Sequence, residues 1–249
     1  MIVFLIILHL ISVFFYGFGV KALIPVVIAV LTTTILDFAI NHFKFKTFEF
    51  PQSALISGLF IGGLLTQGLQ WHIYALAGII AIISKHLIRI KQKNVFNPAN
   101  LGVLLVSVIF GVSHTWWISS PLILVLIFGI FIVGRLKRFD LAISFLVSYY
   151  LINSIIGLSQ GAGLQEVYYT ILNGGVIYFF SMFMLIEPKT NPTKYRIIYG
   201  ILVAVLFIVL HIYIPRHDLP LTLAIGNMFV PALNKLKLGF IKMEAKNIS

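Results

Sequence analysis

Phe96-Asn97-Pro98-Ala99-Asn100 opens an apolar run that reaches about residue 112, and Asn227-Met228-Phe229-Val230-Pro231-Ala232-Leu233-Asn234 lies in a second run over 218–234. Both runs are short for a bilayer crossing, which takes about 20 apolar residues. Both also place Asn and Pro inside otherwise apolar sequence. Proline removes a backbone donor, and the groups it frees are tolerated at membrane depth only where protein or a cavity satisfies them. Cutting the rest of the chain at charges, prolines and turn residues predicts ten spans: 2–20, 22–40, 51–69, 71–90, 97–112, 116–134, 139–157, 168–186, 196–214 and 218–234. The two Asn/Pro runs are then the fifth of the first five and the fifth of the second five.

Five is odd, so two such halves cross the membrane in opposite senses. The expected fold is all-α and polytopic, with about ten transmembrane helices in two inverted five-helix repeats, about 1–113 and 114–249. The third run of each half is also interrupted, by Ser53 to Ser57-Gly58 in the first and by Asn173-Gly174-Gly175 and Ser181 in the second. Matched interruptions of this kind point to a binding site near the midplane. The competing reading is that Asn97-Pro98 only caps a helix start.

Composition agrees with a membrane domain. Of 249 residues, 60% are apolar and 10% charged, whereas a soluble domain carries about 25% charged residues. Ten spans leave no room for a second domain, so 1–249 reads as one integral membrane unit. There is no cysteine, which excludes disulfides and cysteine-ligated clusters on this chain. Met1-Ile-Val-Phe-Leu has no basic flank and no small-residue cleavage site, so it reads as a first membrane helix and not a signal peptide. The net charge of +11 marks cytoplasmic loops, not a nucleic-acid partner. With ten crossings, all 18 Lys and Arg except Lys21 and Arg216 fall on one side. That predicts both termini inside, in the cytoplasmic membrane. Making either short run re-entrant would put Arg135–Arg138 or the tail lysines outside.

Few residues suggest chemistry. Asp37 is a carboxylate near the end of an apolar span, and such acids are paired, functional or snorkelled to the interface. Lys85-His86 reads as a basic anchor or a site. Glu187-Pro188-Lys189-Thr190-Asn191-Pro192 reads as a proline-punctuated loop with an internal ion pair. Asp37, Lys85 and Glu187 are the candidates for an ion path. His9, His72, His114 and His211 show no metal-ligand spacing and read as packing residues, and no metal site is assigned. Trp71, Trp116 and Trp117 fall at predicted outer boundaries, as an aromatic belt would. No nucleophile elbow, phosphate-cradling glycine loop or HExxH occurs, so no catalytic residue is assigned. The residues alone fit a channel, a carrier or a redox subunit.

Ser84-Lys85-His86-Leu87 followed by Asn94-Val95-Phe96-Asn97-Pro98-Ala99-Asn100-Leu101-Gly102 resembles the "KH…NPFNPA…G" signature of one membrane family. That family holds the D subunit of the Rnf electron-transport complex and the B subunit of the sodium-translocating NADH:quinone reductase. Ser53-Ala54-Leu55-Ile56-Ser57-Gly58-Leu59 is similar to its "SALVTGLL", and Asp37 stands where it has an acid. Met184 to Pro192, Tyr199-Gly200, Leu223 to Asn227 and Pro231 resemble later family segments. The resemblance implies ten helices in inverted halves, similar in architecture to urea channels, and electron transfer through flavins coupled to sodium or proton movement. It also implies other electron-transport subunits, and a quinone, as partners. The family's larger members esterify FMN to a threonine in a Ser/Thr-Gly-Ala-Thr motif. Here only Ser113-His114-Thr115 links the fifth and sixth spans, and Ser159-Gln160-Gly161-Ala162-Gly163 lacks the threonine. Covalent FMN is therefore not expected.

Two functions follow. One is an electron-transport subunit with a non-covalent riboflavin or FMN in a cavity where Phe96, Asn97, Pro98, Asn100 and Ser57 face Asn227, Phe229 and Pro231. Asparagine amides suit the polar edge of a flavin ring. The other is a channel or transporter for a small solute or vitamin, with the same fold and no redox role.

Overall fold

A computed structural model describes residues 1–46, 48–90 and 93–235. The tail lysines Lys237, Lys242 and Lys246, and Lys91, lie outside the described residues. The chain folds into α1 (Ile2–Phe15), α2 (Leu23–Phe45), α3 (Gln52–Leu64), α4 (Trp71–Leu87), α5 (Pro98–Phe110), α6 (Leu122–Leu136), α7 (Phe139–Ser159), α8 (Leu164–Leu172), α9 (Gly175–Phe179), α10 (Arg196–Tyr213) and α11 (Asp218–Lys235). A two-stranded antiparallel hairpin, β1 (Arg89–Ile90) and β2 (Lys93–Asn94), joins α4 to α5. This is an all-α membrane protein. By length and composition, Val20–Lys44, Phe139–Ser159 and Arg196–Tyr213 can each cross a bilayer, and α8 with the segment Gly175–Met184, bent by 47°, is apolar and long enough only as a pair, as a broken span or a re-entrant loop.

Lipid explains what the surface carries. Ile24, Val27, Leu31 and Ile35 on α2 and Ile143, Val147, Leu151 and Ile155 on α7 are all exposed. Their spacing of three or four residues makes a continuous apolar stripe along each helix. Stripes of this length would be a liability in water and are the expected outer surface in a bilayer.

Close helix approach holds the centre together. α2 packs on α3 and α4, α4 on α5, α7 on α10, and α10 on α11. At the α2–α3 crossing, a Cβ added to Gly58 would lie 2.5 Å from the Val30 Cα, and one added to Gly62 would lie 2.5 Å from the Val26 Cα. With no hydrophobic drive between helices in lipid, small residues that let backbones meet are a main source of association.

Two expectations change. The run 168–186 is not one helix. It breaks at Asn173-Gly174, and Phe180–Met184 is a π-helical turn. Glycine is required at the break, because a Cβ on Gly174 would collide with the Tyr150 hydroxyl. Trp116 and Trp117 are not a belt, being 3% and 2% exposed. The Trp117 Nε1–H donates to the Gly62 carbonyl at 2.9 Å, and its ring meets His9 edge-on at 5.0 Å. Trp71 is exposed.

Candidate functional site

α5 begins where the sequence says it must. Asn97 is its N-cap, with Oδ1 accepting the Asn100 N–H at 3.0 Å, and Pro98 takes the first helical position, where a missing N–H costs nothing. Asn100 Nδ2 donates to the Pro220 carbonyl at 2.8 Å, tying the start of α5 to the start of α11. The hairpin before α5, the N-terminus of α3 and the C-termini of α4 and α6 all come to the same end of the molecule, the basic end.

There a cavity of about 270 Å³ opens between the two halves of the chain. Ile56, Phe60, Pro98, Phe183 and Ile186 give it apolar walls. Its polar lining includes Ser53, Ser57, Lys85, Asn97, Glu187 and Lys189. Ser57 Oγ donates to the Ser53 carbonyl at 3.0 Å. Asn97 spends Oδ1 on its cap, and Nδ2 has no partner among the described residues. The Glu187 residue is part-exposed, but its Oε2 is buried and has no hydrogen-bond partner among the described residues.

Behind this cavity lies a buried ion pair. Asp37 is 0% exposed. Lys85 Nζ donates to its Oδ2 at 2.7 Å and to Ser53 Oγ at 2.7 Å, and His86 Nε2–H donates to Asp37 Oδ1 at 2.7 Å. Asn41 Nδ2 reaches Oδ2 at 3.5 Å. Asp37 is thus paired within the protein, not snorkelled. Lys85 has a second role beyond anchoring, since it joins that pair to the cavity wall.

The remaining residues singled out from the sequence lie elsewhere. Asn227 and Pro231 line a neighbouring cavity of about 290 Å³, which shares Asn94 and Lys189 with the first. Phe96 lines neither cavity, and Phe229 is 44% exposed. Asn97 and Asn227 therefore do not face each other across one cavity. Sequence reasoning missed Asn191, which lines the second cavity. Its signal was weak: one Asn in a proline-flanked loop.

Burial pushes the Glu187 carboxyl up from 4.5 to about 7, and the nearby Lys189 and Lys85 only partly oppose this. The folded state thus holds the proton more tightly than the unfolded chain. The stability from that preference is full below pH 4.5 and is lost as pH rises through about 7. The expected result is that thermal unfolding in detergent falls more steeply over this window in the wild type than in Glu187→Gln. Parallel curves would show that Glu187 is hydrated.

Residues 1–121 match the model of the NQR2, RnfD, RnfE family. The match ends one residue before α6 begins, so it covers the whole of α1 to α5. The family resemblance carried by Ser84–Leu87 and Asn94–Gly102 is shown over this half. The chain is similar to the D subunit of the ion-translocating oxidoreductase complex of Yersinia enterocolitica, 33% identical over 107 residues, or 41% of this chain and 30% of that protein. It is also similar to the D subunit of the proton-translocating ferredoxin:NAD(+) oxidoreductase complex of Clostridium ljungdahlii, 26% identical over 104 residues, or 41% and 31%. The alignments thus span less than a third of either relative's length.

Proposed function

From a first half that matches this family, we propose that the protein is an electron-transport subunit of the cytoplasmic membrane that holds a non-covalent flavin in the Asn97 cavity. Other subunits of an ion-translocating oxidoreductase are its partners, and a quinone is a candidate acceptor. The observation that carries the reading is the position of the cavity. It lies between the family-matched half and the rest of the chain, with Asn97 and Ser57 on one side and Phe183 and Glu187 on the other.

The lining suits a flavin. Phe60, Phe183 and Ile186 offer a dry apolar slot for the ring system, while Asn97 Nδ2 and the Lys189 ammonium offer donors to ring carbonyls or to a phosphate. Glu187 in its protonated form adds a further donor. A bound flavin supplies the redox chemistry. The protein's part is to orient it, keep water away and hold a proton at Glu187. The Asp37–Lys85 pair fixes the Lys85 ammonium at the wall and, with Glu187, offers polar steps for a coupled cation.

Ten crossings in two inverted halves fit the packing. α2 meets α3 and α4, and α4 meets α5. In the second half α7 meets the π-helical turn and α10, and α10 meets α11. Single cysteines at Ser113 and Lys194 should then label from opposite sides of the membrane. Labelling from one side would overturn the ten-crossing count.

The test of function is cofactor content. Protein purified in mild detergent should release flavin on denaturation, with no flavin fluorescence left on the polypeptide. Asn97→Leu should lower occupancy per folded molecule by about tenfold, the worth of a lost buried hydrogen bond. Unchanged occupancy in that variant would remove the assignment from this cavity. A colourless wild type that moves a solute into vesicles by itself would favour the transporter reading.

A further inference from the structure

We propose that the second cavity, between the hairpin, the 189–193 loop and the last turns of α11, binds a phosphate group carried on an apolar body. Two observations on its wall converge on this. The first is a pair of buried amides. Asn191 is 1% exposed and Asn227 is 0% exposed. Neither Nδ2 nor Oδ1 of Asn191 has a hydrogen-bond partner among the described residues, and Nδ2 of Asn227 has none. Asn227 Oδ1 is already used, accepting from the Tyr199 hydroxyl at 3.1 Å. Buried amide groups are nearly always satisfied, so two N–H₂ groups without a partner among the described residues, on one cavity wall, call for an acceptor there.

The second observation is charge. Lys93, Lys189 and Lys235 line the cavity, and among the described residues no carboxylate does. Three ammonium groups and two amide donors unpaired among the described residues select an anion rich in acceptor oxygens. The remaining walls select what the anion is attached to. Ile90, Val95, Val230 and Pro231 make the lining predominantly apolar. The rim is held in place by Asn234, whose Oδ1 accepts from the Thr193 N–H at 2.8 Å and from its hydroxyl at 2.9 Å. An anionic phospholipid meets all of these demands, and free inorganic phosphate meets only the polar ones. The two amides and Lys93 and Lys235 belong to this cavity and not to the first, with which it shares Asn94 and Lys189.

The experiment uses the full chain in neutral detergent and follows its thermal unfolding during titration. The titrants are dioctanoyl phosphatidylglycerol, dioctanoylglycerol and inorganic phosphate. The expected result is saturable stabilisation by phosphatidylglycerol and none by dioctanoylglycerol, which has the tails without the phosphate. Weak binding of inorganic phosphate beside tight phosphatidylglycerol would identify a lipid headgroup as the source. Equal binding of the two would identify phosphate itself. Lys93→Gln and Lys235→Gln, both at exposed positions, should each weaken binding by about fivefold. Asn191→Leu should weaken it by at least about tenfold while leaving the fold intact, since it removes unpaired polar atoms from a buried place. Lys189 is left unchanged because it also lines the first cavity. Equal effects of phosphatidylglycerol and dioctanoylglycerol would overturn the proposal. So would a phosphatidylglycerol affinity that survives all three substitutions.

Discussion

Asp37→Ala should lower the unfolding free energy of the detergent-purified protein by about 3–5 kcal/mol, because it leaves a buried ammonium without its counter-charge. The carboxylate is fully buried and takes two bonds at 2.7 Å, from Lys85 and His86, which stand on the facing helix. Both of those side chains are themselves 15% exposed or less, so water replaces the lost partner poorly. Asp37→Asn keeps an acceptor near His86 and should cost less. Removing both charges together, as Asp37→Leu with Lys85→Met, should recover much of the loss, since well-packed apolar pairs often match a buried ion pair in stability. A double-mutant cycle on the two residues, read by unfolding midpoint, measures the coupling. A loss below about 1 kcal/mol for Asp37→Ala, the range of an exposed pair, would show that the pair is screened by solvent.

Replacing Gly58 and Gly62 together by alanine should cost at least about 3 kcal/mol. Overpacking costs about 1–3 kcal/mol per site, and here both obstacles are main-chain atoms that cannot rotate away. The added carbons would lie 2.5 Å from the Cα atoms of Val30 and Val26. α2 would have to lift from α3 along two turns, which also moves Asp37 away from Lys85. Gly157→Ala on α7 provides the contrast, because a Cβ there meets only the Ala162 methyl at 3.7 Å. That change should be neutral or stabilise by up to about 1 kcal/mol, as expected for glycine in a helix. The comparison is read from the fraction of monodisperse protein and its unfolding midpoint. Equal stability of the double variant and the wild type would mean that the α2–α3 contact is looser than described.

The apolar runs were legible because charges punctuate them, but several ends were not: α1 and α3 stop at Phe15 and Leu64, short of the expected 20 and 69, and α2 continues to Phe45. Asn97-Pro98 announced the start of α5 by two independent local signals, a cap and a first-position proline. The Asp37–Lys85 pair was not legible, because the residues are 48 apart and an acid near a span end looks the same whether it pairs or reaches for water. Trp116 and Trp117 misled for a related reason. Their place at a run boundary is where belt residues occur, yet the 3₁₀ turn at Trp117–Ser119 carries the chain inward. The break at Asn173-Gly174 was visible as a polar interruption. The reason for glycine there was not, because it lies in the Tyr150 hydroxyl of α7. Of the candidate cofactor residues, Ser57, Asn97 and Pro98 line one cavity, Asn227 and Pro231 the other, and Phe96 and Asn100 neither, since α11 leans against the start of α5 through Asn100 while Asn227 lies further along it beside Tyr199.

The separation of Asp37 from Lys85 also bears on how the chain is made. α2 leaves the ribosome and enters the bilayer well before α4 exists. For those 48 residues of synthesis its carboxylate has no cation to meet. An unpaired acid is expensive in hydrocarbon, and the cost falls toward the interface. Until α4 arrives with Lys85 and His86, the cost is lowered by keeping the C-terminal turn near the headgroups or by protonating the carboxyl. The contact that ties α2 to α4 at Asp37 can therefore form only late, after both helices have been made.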